Sequence, residues 1–275
     1  MSLTKSNYAK DEVEACGTVL RELITDLEPY RDYFILVGGW VPFFLTDCDE
    51  RKKVIHVGSK DIDLALDVGK LPDTAGWEIA EILEKQGYQA KANLPYRYFR
   101  KVELSGGRQF LIRLDFLTSK APLDEKSEEY QPMQGLSAHP EKGIDLVFNH
   151  CLEKEIGEDW PPGSKDRFKI KIADMVACLA TKGIAIASRH EAKDAYDIYI
   201  LSKHYPGGPE TAASALKPFK KEKLVQDCLS SIRQIFQNVD SAGPISVAKF
   251  LELETDEEKE AIIGDSFEVV NEILG

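Results

Sequence analysis

Two aspartates, Asp61 and Asp63, open the segment DIDLALDV (61–68). Asp61, Asp63, Ala65 and Asp67 alternate with Ile62, Leu64, Leu66 and Val68, the pattern of a half-buried strand. Carboxylates two residues apart on a strand share a face, roughly 6–7 Å apart at their Cα atoms, and repel unless a positive group relieves them. A divalent cation is the usual solution, and magnesium takes hard oxygen ligands while keeping positions open for phosphate oxygens. A third carboxylate, Asp115, stands in IRLDFLT (112–118), where Ile112, Leu114 and Phe116 form the apolar side and Arg113 and Asp115 share the other. Upstream, the apolar run YFILV (33–37) stops at Gly38 and Gly39, followed by Trp40. Glycines at a strand end let backbone N–H groups approach a triphosphate, and a following helix N-terminus adds positive potential. In this order the parts suit nucleotidyl transfer. Two magnesium ions would bridge the three carboxylates and an α-phosphate, and an acceptor hydroxyl would attack in line with pyrophosphate leaving. Taken singly, a Gly-Gly pair is a turn and an Asp-x-Asp a solvated strand end; the ordered combination points to catalysis. Replacing Asp61 or Asp63 by Ala should end transfer and leave the fold intact, and, since it removes repulsion, leave stability equal or slightly higher without metal.

Several elements must position these groups. Helical spacing covers 8–28, ended by Pro29, and a helix is expected to open near Val41–Leu45. GWEIAEILEKQG (76–87) reads as an amphipathic helix closed by Gly87. RYFRKVEL and QFLIRLDFLT, joined by SGGR, read as a hairpin. Residues 119–143 are rich in Ser, Glu, Pro and Gly and read as a linker or irregular crossover. The second half reads as mainly helical, with one helix marked by Ile170 to Ala180, a second by Ala195 to Leu201 and a third over 221–238. Thr255-x-x-Glu258 forms a capping box before the last. The expected architecture is α+β, a mixed sheet flanked by helices and then a helical C-terminal half. The division is placed at 1–135 and 136–275, with the helical part closing over the cleft.

The chain has 275 residues, 43% hydrophobic, and a net charge of −12, which argues against a protein that coats nucleic acid non-specifically. Cys16, Cys48, Cys151, Cys178 and Cys228 are widely spaced and read as reduced thiols. No apolar run approaches a membrane span and the N-terminus lacks a signal core, so a cytoplasmic protein without membrane contact is expected. The five histidines show no metal-ligand spacing. RFKIKI (167–172) alternates Arg167, Lys169 and Lys171, which suits either a nucleic-acid groove or a charged sheet edge. KPFKKEK (217–223) reads as a solvated basic helix start.

At LVGGWVPFFL, SKDIDLALD and RLDFLT the chain resembles the DNA polymerase β-like nucleotidyltransferase superfamily, with Trp40 where a Ser or Thr commonly follows the glycines. DMVACLATKGIAIASRHEAKDAYDIYIL (174–201) resembles the C-terminal signature of the abortive-infection nucleotidyltransferase toxins of type IV toxin–antitoxin systems. The resemblance spans roughly 33–118 and 165–203. It implies metal binding by Asp61, Asp63 and Asp115, nucleotide binding at Gly38, Gly39, Trp40 and Lys182, and further site roles for Lys182 and Asp194. The ordinary alternatives are an exposed helix-end lysine at 182, and helical ion pairs on a solvated face for Asp194 and Asp197. The implied partners are an NTP, an acceptor that is RNA (tRNA) or protein, and a cognate antitoxin. A small-molecule acceptor such as an aminoglycoside, and an inactive binding module, stand as alternative readings.

Overall fold

The computed structural model describes residues 3–46, 56–120, 131–132, 135–158 and 160–275. Cys48 and residues 121–130 of the expected crossover lie outside the described residues. The strands are β1 (Phe34–Val37), β2 (Asp61–Leu66), β3 (Tyr88–Lys91), β4 (Leu94–Glu103), β5 (Gln109–Ser119), β6 (Gln131–Pro132), β7 (Ser137–Glu141), β8 (Cys151–Ile156) and β9 (Phe168–Ala173). The helices are α1 (Lys10–Asp26), α2 (Trp40–Leu45), α3 (Ala75–Lys85), α4 (Ile144–Asn149) and α5 (Met175–Arg189). They continue as α6 (Ala192–His204), α7 (Pro209–Leu216), α8 (Lys223–Ile235), α9 (Ala242–Leu251) and α10 (Asp256–Leu274).

The chain forms two compact units. One, the sheet unit, comprises Ala9–Trp40 and Ser59–Ala173; the other, the helical unit, comprises Met1–Tyr8, Val41–Gly58 and Asp174–Gly275. The division therefore falls at Asp174 rather than after residue 135, and Val41–Gly58 belongs with the C-terminal helices. The reason is that 137–173 carries three strands of the sheet. β7 adds to β5, and β8 and β9 extend the sheet beyond β1. Ile170 to Ala173, expected to begin a helix, belong to β9 instead, and α5 starts only after the Asp174 cap, whose side chain accepts from the Ala177 amide.

The sheet is mixed, in the order β3-β4-β5-β2-β1-β9-β8. β2 runs parallel to β5 and antiparallel to β1, and β4–β5 is the expected hairpin. One side of its centre is packed by Leu36, Ile62, Leu64, Ile112, Leu114 and Phe116, all essentially inaccessible. The strand predicted over 61–68 ends at Leu66; Asp67 turns the chain and pairs with Lys70. β9 lies inside the sheet rather than at its edge. Its basic row is neutralised, Arg167 by Glu155 and Glu158, Lys169 by Glu153 and Lys171 by Asp32. That pairing removes the case for a nucleic-acid groove on this strand. In the helical unit Leu179, Ile198, Leu201, Val225, Phe236, Phe250 and Val270 form the core.

Candidate active site

Asp61 and Asp63 project from the same face of β2, each partly accessible, while Ile62 and Leu64 between and beyond them are buried. The parallel pairing of β2 with β5 sets Asp61 beside Arg113 and Asp63 beside Asp115. The hairpin then sets Arg97 of β4 opposite Asp115. The three aspartates and two arginines thus occupy one patch of three adjacent strands.

The arginines answer the repulsion that the sequence poses. Arg97 grips Asp115 with both arms, Nε to Oδ1 and Nη2 to Oδ2, each 2.7 Å. Arg113 donates through Nη2 to Asp61 Oδ2, and its Nε lies 3.5 Å from Asp115 Oδ2. Ser59 donates to Asp61 Oδ1 at 2.5 Å. The paired aspartates hold both guanidinium groups above their ordinary range: Asp115 raises Arg97 by hydrogen bonding against a burial cost. For Arg113 burial works downward, and Asp61, Asp63 and Asp115 outweigh it. Asp61 is therefore stabilised by a guanidinium without any metal, and its removal strands Arg113. Asp61→Ala should for that reason lower stability rather than leave it equal or higher.

Gly38 has φ +74°, and a Cβ there would run into Asp63 Oδ2. The glycine requirement at the end of β1 thus makes room for a carboxylate oxygen. Trp40 is corrected as a nucleotide-binding residue. It is 1% exposed and packs edge-to-face on Trp160, ring centroids 5.3 Å apart, so it is core of the sheet unit. Beneath the patch, burial, aided by Asp61 and Asp63, pushes the Cys16 thiol up, which makes it an inert packing group.

Asp61 and Asp63 suit a magnesium ion. They offer hard oxygens on one accessible face, with the space at Asp63 Oδ2 kept by Gly38, and magnesium is commonly held by one or two carboxylates plus substrate phosphates. Both oxygens of Asp115 are taken by the two-armed Arg97, and those of Asp61 by Ser59 and Arg113, so an ion at Asp61 would displace the singly bonded Arg113, while one at Asp115 would have to break the two-armed pair. Among the described residues no three His, Cys, Asp or Glu side chains converge on one metal position.

The helical unit holds a second charged cluster, and it is not a solvated face. Asp194 and Asp197 of α6 are fully buried and Lys182 of α5 is 6% exposed. Lys182 Nζ lies 3.0 Å from Asp194 Oδ1 and 2.6 Å from Asp197 Oδ2. Arg189 clasps Asp194 through Nε and Nη2 at 2.7 and 2.8 Å. Lys193 pairs with Asp197, which also accepts from His56 at 2.8 Å. Gly58 N–H donates to His56 Nδ1, so the ring proton sits on Nε2 and faces Asp197. Burial drives the Lys182 ammonium down, but Asp197 and Asp194 more than offset it and hold it charged. Lys193, with Lys182 nearby, is pulled down by burial. Burial and Lys193 push His56 down to about 4. Histidine spacing in the sequence gave no sign of His56, since its partner lies 141 residues away.

These observations place Asp61, Asp63, Asp115 and Gly38 together in the sheet unit, and Lys182 and Asp194 together in the helical unit. The family model described as "Nucleotidyl transferase AbiEii toxin, Type IV TA system" matches residues 22–266. Among solved structures the chain is similar to an antigenic nucleotidyltransferase-like protein from Paracoccidioides brasiliensis, at 15% identity over 88% of this chain and 94% of that one, with a TM-score of 0.47. It is also similar to the CD-NTase CdnG of Bradyrhizobium diazoefficiens in complex with GTP, at 12% identity over 98% and 87% of the two chains, with a TM-score of 0.26. No curated protein matches the chain. With the family match running through both the aspartate strands and the Lys182–Asp197 helices, the chain belongs to the AbiEii nucleotidyl transferase toxins of type IV toxin–antitoxin systems.

Proposed function

We propose that the patch on β2 and β5 transfers a nucleoside monophosphate from an NTP to an acceptor hydroxyl on a macromolecule, RNA or protein. The observation that carries this reading is the shared face of Asp61 and Asp63, with Gly38 reserving the space at Asp63. The acceptor oxygen forms a bond to the α-phosphorus, the bond from that phosphorus to the bridging oxygen breaks, pyrophosphate leaves, and the hydroxyl proton passes to water. Asp61 and Asp63 would hold magnesium, which would supply charge neutralisation at the phosphates. Asp115 fixes Arg97 rather than the ion, and the backbone at Gly38 and Gly39 faces the phosphates.

The same reading keeps for Lys182 the nucleotide-binding role, and for Asp194 the polar role, that the resemblance implies. Its support is the resemblance of 174–201, and Lys182 would have to exchange a carboxylate for a phosphate. The toxin family supports an NTP substrate and a cognate antitoxin; the macromolecular acceptor and action in the cytoplasm belong to the proposal. No helix among the described residues is long and apolar enough to cross a membrane. The test incubates the protein with each α-labelled NTP, magnesium, and separate pools of RNA, protein and an aminoglycoside. Label in RNA or protein supports the proposal; label only in the aminoglycoside replaces it with small-molecule modification.

A further inference from the structure

Arg113 is the least satisfied member of the patch. Its Nη2 donates to Asp61, but its Nε is buried and makes no hydrogen bond, lying only at ion-pair distance from an Asp115 whose two oxygens already belong to Arg97. Its side chain is about a third accessible (36%), against 24% for Arg97. One arginine is thus clamped in a two-armed pair, and the other is held by a single hydrogen bond with a donor left over.

We propose that Arg113 is an exchangeable counter-ion. It holds Asp61 until a divalent cation takes that carboxylate, and it then serves a phosphate oxygen of the nucleotide. The inference rests on the reading that Asp61 and Asp63 hold the cation. A cation and a guanidinium compete for Asp61 Oδ2, since neither tolerates the other's charge at that oxygen. The planar fork of arginine matches phosphate as well as carboxylate, so the displaced side chain has a partner wherever the cation brings a triphosphate. Arg97 stays on Asp115 throughout and keeps that carboxylate from following the ion. Arg113 would thereby lower affinity for the cation alone and raise affinity for the cation–nucleotide pair, favouring the loaded site over a metal-only one.

The experiment measures Mn²⁺ binding without nucleotide, by the paramagnetic resonance of free Mn²⁺, in the parent chain, Arg113→Gln and Asp63→Asn. It also measures binding of the four α,β-methylene NTP analogues in the presence of Mn²⁺. In Arg113→Gln, Mn²⁺ should bind about tenfold or more tightly, the scale of one lost like-charge interaction. The analogue should bind correspondingly more weakly. Equal Mn²⁺ affinity in Arg113→Gln and parent, with binding lost in Asp63→Asn, would overturn the exchange while leaving the cation site standing. No Mn²⁺ binding to the parent would overturn the cation reading and the inference with it. Should Arg113→Gln not fold, Arg113→Lys keeps the charge without the fork. Mn²⁺ should then bind within a few-fold of the parent while the analogue binds more weakly, and unchanged analogue affinity would reject the proposal.

Discussion

Asp197 faces Lys182, Lys193 and His56 with no solvent access. Removing one partner of a buried ion cluster leaves uncompensated charge, so Asp197→Ala should destabilise by about 3–5 kcal/mol in urea unfolding. The cluster also sets a pH dependence. His56 is pushed from 6.5 down to about 4, so the unfolded chain takes up its proton before the folded one does. Its contribution is fully present above about pH 6.5 and is lost as pH falls towards 4. Asp197, held well below the usual carboxylate range, adds a further loss below that, as the unfolded carboxylate protonates first. His56→Asn should flatten stability measured by urea unfolding between pH 6.5 and 4, whereas an unchanged slope would remove His56 as the cause. Of these residues the sequence offered Lys182, Asp194 and Asp197, by resemblance. It hid His56, because a buried His–Asp pair has no spacing rule. Arg97 was missed by one residue: taking Ser105–Arg108 as the turn pairs Leu104 with Gln109 and sets Arg97 against Phe116, whereas Leu104 N–H donates to the Arg108 carbonyl and moves the register to Asp115.

At the scale of elements, the short patterns were legible. β2 and the β4–β5 hairpin follow alternation, β1 is a wholly apolar and buried run, and the Thr255–Glu258 capping box forms as the sequence suggests, with the Glu258 amide donating to Thr255 at 3.2 Å. Thr255→Ala should cost about 1 kcal/mol of thermal or urea stability. The segment at 168–173 carried two readings, a charged strand from the alternation of RFKIKI and a helix start from Ile170, Ile172 and Ala173, because it runs directly into the apolar face of α5 and two periods overlap there. Close approach between helices was not legible either. A Cβ on Gly183 of α5 would come within 2.6 Å of the Cys228 carbonyl oxygen of α8, so the two helices meet backbone against side-chain-free surface. Gly183→Ala should force them apart and destabilise by about 1–3 kcal/mol, checked by urea unfolding. A neutral or stabilising result would mean that the gain in helix propensity outweighs the clash.

For the whole molecule, the α+β architecture followed from composition and pattern, whereas the discontinuous units did not. Nothing local in 41–58 signals that it belongs with residues beyond 173, since that association is made by partners such as Asp197 and Tyr196 around His56. The charge of −12 weakens the case for an extended RNA surface, and the neutralised basic row of β9 agrees with it. An acceptor would then be recognised locally, and its labelling should depend only weakly on salt. The central claim is that Asp61 and Asp63 perform nucleotidyl transfer, and one comparison tests it most directly. Parent and Asp63→Asn are assayed side by side for transfer of label from α-labelled NTPs to acceptor, after their folds are matched by circular dichroism. The account predicts that the folded variant loses at least about a hundredfold in rate, some 2.7 kcal/mol in the barrier. A folded Asp63→Asn protein that transfers label within a few-fold of the parent would contradict it.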